Sequence, residues 1–265
     1  MREPQGQLVK RLDYQASAFL IDRVDLTFDL DPVKTRVLNR MRVRRNPELP
    51  PQALRLDGEE LNLARVMVNG EGTSFKMDGD RLVLEQLPEG HEPFELEIFT
   101  TCNPSKNTSL SGLYVSQDTF FTQCEAQGFR RITYFLDRPD VMATYTVTLR
   151  ADKRAYPVLL SNGNLVEQGD LEDGRHFARW VDPHKKPCYL FALVAGQFVC
   201  REQRVRAIFA EGSVDAKVSA RVAADTGVAI IDDLYGDTVG EPGSGAETVD
   251  GMLLANARRI AAALQ

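Results

Sequence analysis

The sequence contains few cysteines, and none of them lies in a metal-binding or disulfide-rich arrangement. The four cysteines, Cys102, Cys124, Cys188 and Cys200, stand far apart, and no two form a C-x-x-C pair. Zinc knuckles and small disulfide scaffolds place their cysteines at short, regular spacings, so both classes are excluded. We therefore expect the four side chains to be buried thiols.

Long apolar runs and an excess of positive charge are also absent. No stretch approaches the roughly 20 apolar residues that a membrane-spanning helix needs, and the first 15 residues, MREPQGQLVKRLDYQ, lack the apolar core of a secretion signal. Lysine and arginine total 32 against 38 aspartate and glutamate, a formal net charge of −6. Such a surface does not attract nucleic acid or anionic lipid. The composition predicts a cytoplasmic protein with neither nucleic-acid nor membrane partners.

Sequence motifs for self-contained catalysis are missing as well. The three histidines, His91, His176 and His184, do not have the four-residue spacing of an H-E-x-x-H zinc helix. A G-x-S-x-G nucleophile elbow, a dinucleotide-binding glycine motif and a phosphate-binding loop are not found either. From the residues alone we expect no independent catalysis.

The strongest pattern that is present is the alternation of apolar and polar residues up to about residue 200. Residues 24–30, 94–98 and 145–149 alternate in this way, which places every second side chain on one face of a sheet. Turn dipeptides separate the alternating runs, as hairpins require. The dipeptides are Asn69-Gly70, Asp78-Gly79, Asn162-Gly163 and Asp173-Gly174. Residues 1–200 are therefore predicted to form a mainly β domain, an antiparallel β-sandwich or saddle.

Residues 201–265 follow a different pattern, that of a small β-α-β-α segment. An apolar run at 205–209 and another at 228–231 are typical of strands covered on both faces. Between them, valines recur every fourth residue, with Ser213 and Gly227 as the expected helix caps. Helical spacing returns from Val249 to Leu264. So small a unit buries little surface, and we expect it to dock on something.

One segment, residues 120–140, carries more charge than a solvated strand would. Gln123 and Glu125 lie two residues apart, so in an extended chain they point to the same side and can clamp a protonated amine. The alternative is a buried ion-pair network in which Arg130 and Arg131 neutralise the carboxylate. Spacing alone favours this network.

The same segment carries a family resemblance. TQCEAQGFRRITYFLDRPDV, together with YPVLLSNGN and PCYLFALVAGQF, resembles the N-terminal domain of bacterial aminopeptidase N, a family of zinc exopeptidases. The likeness covers about residues 8–198. It implies an all-β saddle packed on a catalytic domain, with the Q-C-E-A-x-G-F-R segment reaching into the active site. It also implies that Glu125 holds the free amine of a peptide N-terminus and that Gln123 lines the first specificity pocket.

The chain departs from that family after residue 198. The G-A-M-E-N and H-E-x-x-H motifs of the family's zinc-binding domain do not occur in it. We therefore predict a non-catalytic, substrate-anchoring domain, truncated before the zinc site, with no peptidase activity by itself and no bound cofactor. A recombined gene, a mis-assembled reading frame and a deliberate joining are each consistent with this change of sequence after residue 198.

The tail resembles a second family, the substrate-binding proteins of zinc and manganese ABC importers. The matching strings are VRAIFAEGSVD and DDLYGDTVGEPGSGAETVDGM, within about residues 202–264. The resemblance implies that Glu211 and Asp237 correspond to two metal-binding carboxylates. Two carboxylates without the family's histidines make half a site, so we expect weak Zn²⁺ or Mn²⁺ binding at most. We favour the interpretation that Glu211 and Asp237 are solvated acids and not metal ligands. Two alternative functions therefore stay open: a metal-ion binding protein, and an interaction module that covers another subunit.

Overall fold

The chain is divided into two units in the computed structural model, Met1–Phe198 and Val199–Gln265. The structure describes residues 12, 14–199, 207–211, 220, 223–224, 227–236 and 238–264. No helix among these residues has the length and apolar character to cross a bilayer.

Fifteen strands lie within residues 14–198 of the first unit. In chain order they are β1 (Phe19–Asp29), β2 (Thr35–Arg45), β3 (Leu54–Asp57), β4 (Asn62–Val68), β5 (Glu71–Gly72), β6 (Lys76–Asp78), β7 (Arg81–Leu84), β8 (Phe94–Cys102), β9 (Gly112–Ser116), β10 (Thr119–Gln123), β11 (Met142–Asp152), β12 (Val158–Ser161), β13 (Asn164–Asp170), β14 (Arg175–Pro187) and β15 (Leu193–Gly196). The largest sheet has eight strands in the order β13-β14-β11-β1-β2-β8-β4-β5. A four-stranded sheet has the order β12-β15-β10-β9, and a three-stranded sheet has the order β3-β7-β6. The predicted mainly β fold is confirmed.

Alternation along the strands produces the core of this unit. In β1 the side chains of Val24, Leu26 and Phe28 are fully buried, while the residues between them are partly exposed. Burial of each such side chain stabilises the fold by about 1.5–3 kcal/mol. The three strands predicted from alternation are confirmed as β1, β8 and β11. Pairing is antiparallel throughout the large sheet except between β1 and β11, which run parallel.

Three of the four predicted turn dipeptides lie in hairpins, and one does not. Asn69-Gly70 joins β4 to β5, Gly79 follows β6, and Asp173-Gly174 joins β13 to β14, with positive φ at each of these glycines. Asn162-Gly163 instead connects β12 of the four-stranded sheet to β13 of the large sheet. At Gly163 (φ +86°) an added Cβ would lie 2.2 Å from the carbonyl oxygen of Val181, so the chain crosses between sheets where only glycine fits.

The described residues of the second unit include two parallel strands and a helix. These are β16 (Ala207–Glu211), β17 (Ala229–Leu234) and α1 (Val249–Leu264). The side chain of Asn256 on α1 bonds both the N–H and the C=O of Tyr235, at 3.0 and 2.8 Å, which fixes the helix to the end of β17. Most of the helix predicted from Ser213 lies outside the described residues. Its expected C-cap is seen at Gly227, which has a φ of +67° and donates its N–H to Ala223 O at 2.8 Å.

Candidate substrate-anchoring site

Gln123 and Glu125 lie together where β10 ends and the chain turns. Gln123 is the last residue of β10, and its register partner is Gly112 at the start of β9. The turn closes with the N–H of Gly128 donating to the carbonyl of Cys124 at 2.8 Å, and the Glu125–Ala126 peptide is cis. Gln123 Nε2 donates to the backbone oxygen of Glu125 at 3.2 Å. Both side chains are exposed, so the structure presents the two predicted residues side by side to solvent.

The arginines of the segment do not neutralise Glu125. Within residues 14–199, no hydrogen bond or ion pair reaches its carboxylate. The ion-pair network favoured by spacing is therefore wrong for Glu125, because acidic residues elsewhere in the fold take up the arginines. The pairs are Arg130 with Asp137 (2.8 Å), Arg131 with Glu60 (2.7 Å) and with Glu59, and Arg138 with Asp140 (2.7 Å).

Asp137 is the buried centre of the segment. Its Oδ2 accepts the backbone N–H of Arg130 at 3.2 Å and Nε of the same residue at 2.8 Å. Its Oδ1 accepts the Cys188 thiol at 3.1 Å, and the side chain is almost fully buried. One carboxylate thus ties the short 3₁₀ turn Phe129–Arg131, which follows the Glu125 turn, to the chain after β14. Asp137 directly follows the largely apolar stretch 132–136, and this position is the sequence signal that indicates its burial.

Glycine is required where the turn meets β9. A Cβ on Gly128 would lie 2.2 Å from the carbonyl oxygen of Gln123 and 2.9 Å from the backbone nitrogen of Gly112. Gly112 itself has a φ of +75°, and a Cβ there would lie 2.5 Å from Cβ of Arg131. The backbone on both sides of Glu125 is therefore packed against its neighbours, which holds the carboxylate on a fixed support.

The turn that contains Glu125 also borders an open groove. Gln127, two residues after Glu125, lines a cavity of about 740 Å³ together with Arg130 and Leu136. The volume lies in the range of about 300–1,000 Å³ that is usual for small-molecule sites. The turn that contains Glu125 therefore adjoins open space at Gln127.

The buried thiols near the turn are not candidates for nucleophiles. Burial, with a smaller contribution from the Asp137 charge, raises the pKa of Cys124. Burial and the same carboxylate raise the pKa of Cys188 still more. Because the thiolate is the reactive form, both sulfurs stay protonated and unreactive near neutral pH. Cys102, Cys124 and Cys188 are free and buried, as expected, and Cys200 lies outside the described residues.

Of the two acidic residues predicted to bind metal in the tail, one lies among the described residues. Glu211 is the last residue of β16, and Asp237 lies outside the described residues. Among the residues that the structure does describe, no group of three or more histidine, cysteine, aspartate or glutamate side chains is placed to hold a metal ion.

The first unit is thus a mainly β domain with an exposed Glu125 on a packed turn. The family model for the peptidase M1 N-terminal domain matches residues 21–190, a stretch that includes both Gln123 and Glu125. The chain belongs to this family.

Relatives of known name support the same assignment. The chain is 52% identical over 196 residues to aminopeptidase N of Escherichia coli strain K12, covering 73% of this chain and 22% of that protein. It is 48% identical over 190 residues to aminopeptidase N of Haemophilus influenzae, covering 71% and 22%. The predicted resemblance to the N-terminal domain of bacterial aminopeptidase N is confirmed. The chain spans about a fifth of the length of these relatives.

Solved structures share the fold. The crystal structure of Legionella pneumophila aminopeptidase A in complex with aspartic acid superposes with a TM-score of 0.71 at 26% identity, covering 95% of this chain and 34% of that one. The M1 zinc metallopeptidase of Deinococcus radiodurans gives a TM-score of 0.59 at 17% identity, covering 68% and 42%, a likeness of fold alone.

Proposed function

We propose that the first unit is the substrate-anchoring domain of an M1 zinc aminopeptidase, in which Glu125 holds the protonated amine of a peptide N-terminus. The observation that carries the proposal is the exposed Glu125 carboxylate, unpaired within residues 14–199 although three arginines follow it within 13 residues. Gln123, whose amide already bonds the Glu125 backbone, stands beside it and lines the pocket for the first side chain.

A carboxylate in this position selects for chain ends. A hydrogen bond to a charged group is worth about 1.5–3 kcal/mol, and the gain is larger where a closed cleft excludes water. An internal peptide bond offers no ammonium group, so it leaves Glu125 unpaired and binds less well. The same contact positions the first peptide bond at a fixed distance from Glu125.

We propose that bond cleavage takes place on a catalytic domain against which this unit packs. The printed sequence contains no H-E-x-x-H, and the curated relatives are several times longer than the matched region. In a metallopeptidase, zinc polarises the carbonyl and activates water for attack. This chain's own residues bind the peptide terminus and orient it.

A graft tests the proposal. Residues 14–198 would replace the corresponding part of Escherichia coli aminopeptidase N, and kcat and KM would be measured on an aminoacyl anilide. Because one charge-assisted hydrogen bond is lost, we expect Glu125→Gln to lower kcat/KM by about 10- to 150-fold. Glu71→Gln, at an exposed glutamate on β5, is the matched control and should change nothing. Equal kinetics for Glu125→Gln and the unsubstituted graft would overturn the proposal.

A second use of the same unit is as an interaction module supplied in trans. The β-saddle would then cover an aminopeptidase catalytic domain carried on another chain. Co-purification of the intact chain with such a catalytic body lacking its own N-terminal domain tests this idea, and failure of the two to associate would exclude it.

For the tail we propose descent from the C-terminal lobe of a metal-receptor protein. Parallel pairing of β16 and β17, with α1 fixed to β17 through Asn256, supports an α/β lobe of this kind. Glu211 and Asp237 would then be the remnant of a Zn²⁺ or Mn²⁺ site. Calorimetric titration of the chain with zinc tests the remnant: binding that Glu211→Ala abolishes favours it, and identical heats in both proteins exclude it.

We also propose that the protein works in the cytoplasm. Cys102, Cys124 and Cys188 are free thiols, and such thiols persist in a reducing compartment. Detection of these three cysteines as thiols after rapid alkylation of unfolded protein from cells supports this location, and their recovery as disulfides opposes it.

A further inference from the structure

The solvent face of the eight-stranded sheet contains a cavity that the anchoring site does not use. Its volume is about 390 Å³, within the usual range of about 300–1,000 Å³ for small-molecule sites. The lining side chains come from β1, β2, β11, β13 and β14 and from the turn after β13. Thr27 and Thr148, which are register partners, both line it.

Two guanidinium groups at this cavity have donors to spare. The nearest carboxylate oxygens lie 3.9 Å from Arg150 and 3.8 Å from Arg179, beyond hydrogen-bond distance. The carboxylate beside Arg150 is that of Asp29, which already accepts a hydrogen bond from Arg175 at 3.4 Å. Arg150 and Arg175 therefore share the Asp29 carboxylate, and Arg179 faces the Glu167 carboxylate, which also lines the cavity, without a hydrogen bond to it. The planar donors of Arg150 and Arg179 remain available for an incoming carboxylate.

A free acid lies across the same cavity. Asp25 is half-buried, and within residues 14–199 its carboxylate has no hydrogen bond or ion pair. Its cross-strand neighbour Arg40 is turned away to Glu97, with Nε 2.8 Å from Oε2. A half-buried carboxylate without a partner favours a cation at this point.

Two apolar side chains, Phe177 and Leu171, also line the cavity. The ring of Phe177 lies against Gly169 on the edge strand, where an added Cβ would lie 3.1 Å from a ring carbon, and Leu171 follows at the end of that strand. The cavity thus combines donors for a carboxylate, an acceptor for an ammonium group and an apolar surface.

We propose that this cavity binds a free α-amino acid with an apolar side chain. Its carboxylate bonds Arg150 and Arg179, its ammonium group bonds Asp25, and its side chain contacts Phe177 and Leu171. Neither a dianion nor a simple amine satisfies both charged ends, because each leaves one set of protein groups unpaired. The site is separate from Glu125 in residues and elements and does not depend on the anchoring function.

NMR titration of the intact, ¹⁵N-labelled chain with L-leucine tests the site. We expect saturable shifts around Thr27, Thr148 and Phe177 with a dissociation constant of ~1 mM. N-acetyl-L-leucine, which lacks the ammonium group, and L-leucinamide, which lacks the carboxylate, should each bind at least ~5-fold more weakly, as expected for loss of one partly exposed ion pair. Equal binding of all three, or no saturable shift with leucine, overturns the proposal.

Substitutions locate the ligand. Asp25→Asn and Arg179→Gln should each weaken leucine binding by ~5-fold or more, since each removes one charged contact. Arg55→Gln, at an exposed arginine elsewhere, is the matched control, and circular dichroism confirms folding of each variant. Leucine binding that survives Asp25→Asn but is lost in Glu125→Gln places the ligand at the anchoring site. That result refutes this inference and leaves the proposed function intact.

Discussion

Single side chains on the turn after β10 owe their properties to partners elsewhere in the fold. Within residues 14–199, Glu125 has no ion-pair partner because Asp137, Glu59, Glu60 and Asp140 take up the arginines that follow it. Both Gln123 and Glu125, which sequence spacing predicted to act together, are exposed. The spacing could not exclude pairing with Arg130 or Arg131, because Glu59 and Glu60 lie some 70 residues away in sequence and only the tertiary fold brings them close.

The Cys102 thiol makes a pH-dependent contribution at the residue scale. Burial raises its pKa from 9.0 to about 12. Above about pH 9 the unfolded chain loses this proton while the folded protein keeps it, so stability that is complete below pH 9 falls by about 1.4 kcal/mol per pH unit up to about pH 12.

We therefore expect Cys102→Ala to flatten the alkaline loss of stability. Urea unfolding at about pH 9.5 and about pH 10.5 should show a decrease in the free energy of unfolding that is about 1.4 kcal/mol smaller in the variant than in the parent. Parallel decreases in the two proteins would show that this thiol does not couple folding to pH.

At the scale of elements, Asp137 holds together the turn Phe129–Arg131 and the chain after β14. Asp137→Ala would leave the half-buried Arg130 guanidinium without its closest partner, and removal of one member of a buried pair costs about 3–5 kcal/mol. Urea unfolding measures the loss. Asp140→Asn, which breaks the more exposed pair with Arg138, should cost no more than about 1 kcal/mol. Similar costs for the two substitutions would contradict the role given to Asp137.

The contact between the Glu125 turn and β9 depends on Gly128. Gly128→Ala would push a methyl group into backbone atoms of Gln123 and Gly112, and we expect a loss of about 1–3 kcal/mol in the free energy of unfolding. Gly72→Ala, where nothing lies within 4 Å, is the matched control and should stay within about 0.5 kcal/mol of the parent. A tolerated Gly128→Ala would show that the turn is not held by this packing.

Elements were predicted best where local pattern is enough to define them. Alternation identified β1, β8 and β11, and helical spacing identified α1 from Val249 to Leu264. The parallel pairing of β1 with β11 joins segments more than 100 residues apart, and no local pattern encodes it. Asn162-Gly163 has the sequence of a hairpin turn, yet it connects two different sheets, and the carbonyl of Val181 lies close to Gly163 there.

At the scale of the whole molecule, the first unit has a continuous core of its own. The core cluster runs from Phe19 to Ala195, entirely within that unit. A shortened chain of residues 14–198 should therefore unfold cooperatively in urea and keep dispersed NMR signals. A shortened chain that lacks a cooperative transition would mean that this core is not sufficient.

The most direct test of the anchoring role is the position of a bound peptide's first nitrogen. A crystal structure of the grafted Escherichia coli enzyme with a bound tripeptide should place that nitrogen about 2.7–3.2 Å from a Glu125 carboxylate oxygen. A tripeptide bound in the cleft with its amine on other groups, and with Glu125 facing only solvent, would contradict the account.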